Sequence, residues 1–355
     1  MSKREHPHLE VNEISDKAKA SMKTRVIVAF VAAVLVIPAL ILGGWVLFAI
    51  AAIAIALAVY EMIHAAGKKY PWYVWAFTYI LVFSYVYWFV LKGNFLEWQK
   101  CQDVNKEFHF SLENYYSGIS VSPISIGVGL GFYCLATVTN EEFGIDDVAY
   151  FIFFTLLLGF GFQCFLLLRY YPFYMFSHNA VYSSNVYAGT IGSELLNRWD
   201  FRYFWSFGLF GMMLVSATFT DTFAYFGGSL FGKHKMNPRI SPNKTWEGFF
   251  IGIFFGILGT FLLGLLMAIN GCPVLPTLTS DKWYRILLVS VVAVFSGVLG
   301  DLSFSAIKRH YGVKDYGTIM PGHGGVLDRI DSNLFATIGM AILLVFITNG
   351  WNFAL

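Results

Sequence analysis

Apolar runs of about 18 to 22 residues recur along almost the whole chain, and that is the length an α-helix needs to cross a bilayer. Repeated this often, they make the chain an all-α polytopic membrane protein. Composition agrees: 57% of the 355 residues are hydrophobic and only 13% are charged. A soluble domain of this length carries about twice that charge. Mean hydropathy is +0.61. The formal net charge of +2 says little about partners, because what matters here is where the charges lie.

About nine transmembrane helices can be placed. Two, near 26–42 and 44–63, form a hairpin broken at Gly43-Gly44, and the absence of an A-x-A-like end argues against a signal peptide. A third, near 72–91, carries Trp72, Trp75 and Trp88 as interfacial residues. The others are expected near 119–138, 148–168, 203–227, 248–269, 284–307 and 333–349. Gly252, Gly256 and Gly259 would let another helix approach the seventh closely. The stretch 92–118 reads as a polar connection, and 170–200 suggests no definite structure. The chain divides into a polar tail (1–25), an N-terminal transmembrane region (26–200) and a C-terminal transmembrane catalytic region (201–355). The four cysteines show no metal or disulfide spacing; Cys134 and Cys164 fall in apolar runs as packing residues.

Nine spans give a consistent orientation. With the basic tail in the cytoplasm, Lys68 and Lys69, the 229–247 loop and the 308–331 loop all lie on the same side, as the positive-inside rule requires. The acidic 140–147 link lands there too. The expectation is a multi-pass protein of the cell (inner) membrane, with its N-terminus and its active site cytoplasmic, where nucleotides are available.

The charge is concentrated between Gly300 and Ser332, where Asp301, Asp315, Asp328 and Asp331 accompany Lys308, Arg309, Lys314 and Arg329. An ordinary positive-inside loop explains these cations, but neither the carboxylates nor the turn Pro321-Gly322-His323-Gly324-Gly325. Asp301, Ser305 and Lys308 are spaced i, i+4, i+7 and share one helix face. Asp328 and Asp331 point together if their segment starts the last helix. Hard carboxylate oxygens are what Mg²⁺ takes, with water and substrate phosphates completing its shell. A glycine turn can bring N–H groups onto phosphate, and Lys308, Arg309 and Arg329 can supply charge-assisted bonds. Asp221, in an otherwise apolar span where a carboxylate costs roughly 2.5–3.5 kcal/mol, calls for a partner or a cavity. Glu61 closes the second span in either a structural or a catalytic role. His323 is either a phosphate contact or a turn histidine bonded to backbone. Together these signals point to phosphoryl or nucleotidyl transfer.

The string Ser305-x-x-Lys308-Arg309, Lys314-Asp315-x-Gly317, Pro321-Gly322-His323-Gly324-Gly325-x-x-Asp328-Arg329-x-Asp331 closely resembles the signature of the phosphatidate cytidylyltransferases, or CDP-diacylglycerol synthases. Ser241-Pro242-Asn243-Lys244-Thr245-Trp246-Glu247-Gly248 and Asp221-Thr222-x-Ala224-Tyr225-x-x-Gly228 look like the same family. The resemblance is strong over about 205–350 and adds nothing specific over 92–200. In one departure, the bacterial-type pattern puts a Glu where Phe304 stands.

The resemblance implies a reaction of CTP with phosphatidate to give CDP-diacylglycerol and pyrophosphate, with Mg²⁺ and a monovalent cation such as K⁺. Carried over by position, the metal ligands are Asp301, Asp328 and Asp331, with Lys308 holding phosphate as a fourth catalytic residue. Asp221, Lys244, Ser305, Arg309, Lys314, His323, Gly324 and Arg329 would bind substrate. Nothing suggests nucleic acid as a partner, and a homodimer is compatible with the pattern. A CTP-dependent lipid kinase would share these loops but transfer the γ-phosphate. A secondary transporter would need repeat symmetry, which the chain does not display.

Overall fold

A computed structural model describes residues 34–41, 43–103, 107–110, 121–178, 199–237, 239, 241–270, 273–320 and 324–349, together with Val31. The helices are α1 (Gly44–Ala65), α2 (Trp72–Asp103), α3 (Pro123–Thr139), α4 (Ile145–His178), α5 (Trp199–Phe231), α6 (Trp246–Ile269), α7 (Trp283–His310) and α8 (Leu327–Asn349). Among the described residues seven helices are long and apolar enough to cross a membrane, and α3 is a shorter apolar helix. Of the 26–42 span, only Val31 and residues 34–41 are described, and they are helical. The expected 1–25 tail lies outside the described residues.

Several boundaries differ from expectation for identifiable reasons. The third span was expected to end near 91, but α2 runs on to Asp103. No proline interrupts it there, Gly93 and Asn94 are buried, and Glu97 and Lys100 pair at 3.5 Å on the exposed face. Likewise α4 continues to His178 with Pro172 inside it, as apolar helices tolerate when neighbours meet the freed backbone groups. Residues 179–198 lie outside the description. A short antiparallel hairpin, β1 (Lys235–Asn237) with β2 (Ser241–Thr245), interrupts the helical pattern. Thr245 then caps α6, its hydroxyl accepting the Gly248 N–H at 3.2 Å.

The bundle is organised around α4, whose most apolar stretch is 72% buried against 28% for α6. It touches α1, α2, α3, α5 and α8, while α5 packs along α6 and α7 along α8. The α5–α6 contact is a close one between small residues. A Cβ at Gly252 would lie 2.7 Å from the Thr220 carbonyl oxygen, and one at Gly248 2.6 Å from that of Ala224. Thus Gly252 and Gly256 do allow close approach, and α5 is the helix that approaches. At the turn before α1, Gly43 (φ 66°) and Gly44 (φ 53°) take left-handed conformations that glycine adopts without strain. The buried Arg169 of α4 donates to the Leu40 and Ile41 carbonyls there, satisfying acceptors that a helix end leaves open.

One end of the bundle gathers the polar loops. Asp147 at the start of α4 accepts from Lys68 (2.7 Å), the Tyr70 hydroxyl (2.8 Å) and the Gly144 N–H (2.8 Å). Burial, with Asp147 beside it, pushes the Tyr70 phenol far above its ordinary range. Tyr150 on α4 donates to the Met62 carbonyl at 2.7 Å, and its ring meets Tyr311 edge-on. The 66–71, 140–147 and 311–320 segments therefore meet at one end.

Substitution tests this packing. Gly252→Leu should destabilise by about 1–3 kcal/mol or more, because backbone rather than a movable side chain fills the space. Gly127→Ala, where nothing lies within 4 Å of the added Cβ, should be neutral or stabilising by up to about 1 kcal/mol. Thermal unfolding in detergent measures both.

Candidate active site

Lys308 leaves the C-terminal turn of α7 and donates from Nζ to Oδ1 of Asp328 on α8 at 2.8 Å. Its ammonium also lies 5.5 Å from the centre of the Tyr316 ring, a favourable cation–π position. The other oxygen of Asp328, Oδ2, accepts the Tyr316 N–H at 2.8 Å and the Gly325 N–H at 3.0 Å. One carboxylate thus ties α7, the intervening loop and α8 together. Helix α8 begins at Leu327, so Asp328 and Asp331 share its first turns, as their spacing predicts. Asp331 is buried and accepts the Ser332 N–H at 2.7 Å.

A second pair forms about two turns away along α7. Lys244, from β2, donates to Oδ2 of Asp301. The Asp301 charge acts on both Asp221 of α5 and Asp331 of α8, while Lys244 acts on Asp221 and Lys308 on Asp331. Asp221 is exposed on α5 and Asp331 is buried on α8; the Asp301 charge reaches both, with Lys244 and Lys308 beside them. Asp301 and Lys308 share α7, and Lys308 in turn reaches Asp328 of α8.

The remaining expected residues are placed less centrally. Ser305 is half-buried on the Asp301–Lys308 face. Arg309 donates to the Val313 carbonyl at 3.4 Å, and Lys314 and Arg329 are exposed. Gly324 adopts φ 83° and bridges to Met320. His323 lies outside the described residues. Of the glycine turn, Gly325 turns its N–H to Asp328, and the Val326 and Leu327 N–H groups that follow it are bonded to Glu61; residues 321–323 lie outside the described residues.

Two residues matter more than the sequence suggested. Tyr316 donates its hydroxyl to the Phe304 carbonyl at 3.3 Å, and burial holds its phenol well above the ordinary range and protonated. Glu61 of α1 reaches the N-terminus of α8; an acidic residue at the end of an apolar run was the only signal for it. Phe304, the departure from the family pattern, is fully buried among Phe154, Tyr316 and Phe335. It is an aromatic core residue, not a site residue.

Among the described residues, no three carboxylate, histidine or cysteine side chains close on one point as a ready-made metal cage. Mg²⁺ does not need one, since it is commonly held by one or two carboxylates with water and substrate phosphates. Hard carboxylates whose charges act on one another, with Lys244 and Lys308 beside them, suit such an ion chemically.

Residues 23–347 match the model of the cytidylyltransferase family. Curated relatives include a phosphatidate cytidylyltransferase of Staphylococcus epidermidis, 43% identical over 150 residues, which are 41% of this chain and 54% of the relative. The protein of that name from Staphylococcus haemolyticus is 40% identical over 150 residues, with the same shares. That from Staphylococcus aureus is 43% identical over 126 residues, 36% of this chain and 45% of the relative. The chain spans about half the length of the curated relatives it matches.

The aromatic setting of Phe304 generates a test. Phe304→Glu, although it restores the family pattern, should bury an unpaired carboxylate and lower stability by about 3 kcal/mol or more. Phe304→Leu should retain fold and activity. Detergent-solubilised yield and melting temperature measure the difference.

Proposed function

The chain belongs to the cytidylyltransferase family, and on that premise we propose that it converts CTP and phosphatidate to CDP-diacylglycerol and pyrophosphate. The observation that carries the reading is the pair of lysine–carboxylate links, Lys244 to Asp301 and Lys308 to Asp328. They gather alternating positive and negative charge at one end of an apolar bundle, where a polyanionic nucleotide and a lipid phosphate can both arrive.

The chemistry needs little from the protein beyond alignment and charge. The phosphomonoester of phosphatidate, with a second pKa of about 6, is already largely dianionic at neutral pH. It can attack the α-phosphorus of CTP without a strong general base; the new P–O bond forms as the bond to pyrophosphate breaks. Lys244 and the basic hairpin hold the triphosphate, and Lys308 neutralises charge on the transferring group. Asp301, Asp328 and Asp331 are the carboxylates that would hold Mg²⁺. When bound, that ion neutralises charge on the leaving pyrophosphate. The segments bearing Asp221 and Asp301 flank a lateral approach by which the lipid head reaches the site while its acyl chains remain in the bilayer.

Sidedness follows from charge. Lys68 and Lys69, the hairpin cations Lys233, Lys235, Arg239 and Lys244, and the end of α7 gather with the site, so that end faces the cytoplasm of the cell membrane. A cysteine introduced at Lys69 should react with a membrane-impermeant maleimide only in inside-out vesicles; labelling in intact cells would overturn the orientation.

Purified protein in micelles with labelled CTP, phosphatidate and Mg²⁺ should yield a liponucleotide and pyrophosphate. A phosphorylated lipid with CDP would instead show a kinase. Asp328→Asn should lower turnover by about 10²-fold or more while the protein still accumulates in the membrane. Near-normal activity of that variant would refute the assignment.

A further inference from the structure

Glu61 lies near the end of α1, more than two hundred and sixty positions before the residues it holds, and it is only 1% exposed. Its Oε1 accepts the Val326 N–H and its Oε2 the Leu327 N–H, both at 2.8 Å. These are N–H groups that the first turn of α8 leaves without helical partners, and the positive end of the helix dipole lies there. Two backbone N–H bonds offset part of what burial costs this carboxylate. The neighbouring turn is shaped to admit it, since a Cβ on Gly317 or Gly325 would overlap the Glu61 carboxylate. Asp328 grips the same turn from the other side through the Gly325 and Tyr316 N–H groups.

Two consequences follow. The start of α8 is fixed to α1 as well as to α7, so the placement of Asp328 and Asp331 opposite Asp301 depends on a side chain from the far end of the sequence. In addition, a helix N-terminus that could bind an anion is filled by the protein's own carboxylate. Substrate phosphates are thereby left to Lys308 and to the basic hairpin with Lys244. We propose that Glu61 is a positioning residue for nucleotidyl transfer, clamping the glycine turn and the first turn of α8 so that the carboxylates of α8 face Asp301 of α7. This role rests on the proposed reaction.

The test compares wild type with Glu61→Gln in detergent micelles. The amide keeps the size of the side chain but turns an N–H toward one of the two backbone donors. With no nucleotide or metal added, exchange of the Val326 and Leu327 amide hydrogens should become at least about tenfold faster, while α5 and α6 stay as protected as before. In the liponucleotide assay the Mg²⁺ concentration for half-maximal rate should rise by about tenfold, the scale of losing a residue that orients a ligand. At saturating Mg²⁺, kcat should recover to within about threefold of wild type. Unchanged exchange at Val326 and Leu327, or an unchanged Mg²⁺ requirement, overturns the proposal. Faster exchange throughout the bundle overturns it in favour of a general packing role. Loss of turnover at every Mg²⁺ concentration with protection intact overturns it in favour of a direct catalytic role. If wild type forms no liponucleotide, the reaction itself falls and this role with it, while the exchange data still decide whether the clamp exists.

Discussion

A carboxylate inside an apolar bundle must meet a cation or a set of N–H donors, because its water is gone and nothing in hydrocarbon replaces it. That demand organises the polar end of this protein. Asp147 is met by Lys68, Tyr70 and Gly144, Asp301 by Lys244, and Asp328 by Lys308 and two backbone N–H groups. Glu61 is met by the first turn of α8. Most of these contacts join segments that the chain separates, so satisfying the charges also brings the polar end together.

The same arrangement suits a reaction between two polyanions. Nucleotidyl transfer from CTP to a lipid phosphate requires that two negatively charged molecules be held in line and that the departing pyrophosphate be neutralised. Lysines already placed against carboxylates are fixed in position before substrate arrives, which lowers the ordering cost at the moment of reaction. The small-residue packing of α5 against α6 contributes by holding the hairpin that carries Lys244 at the head of that helix pair.

Much of this was legible in the chain itself. Long apolar runs marked the helices because the bilayer fixes their length. The charged segment after Gly300 stood out because charge is scarce elsewhere. Boundaries were less legible where local polarity misled: α2 continues through Lys92 and Lys100, and α4 continues through Pro172. The hairpin before α6 was missed, since its strands are too short to display alternation. Of the glycine turn, the Gly325 N–H serves Asp328, and the two N–H groups that follow it serve Glu61.

The amino-acid order alone determined that this is a helical membrane protein with its charge concentrated between Asp301 and Asp331, because helix length and motif spacing are properties of a single segment. Only the tertiary structure decided that Glu61 serves α8, that Lys244 serves Asp301, and that Phe304 belongs to an aromatic core. Those outcomes depend on which helix faces meet across space, and hydropathy read along one dimension carries no record of that.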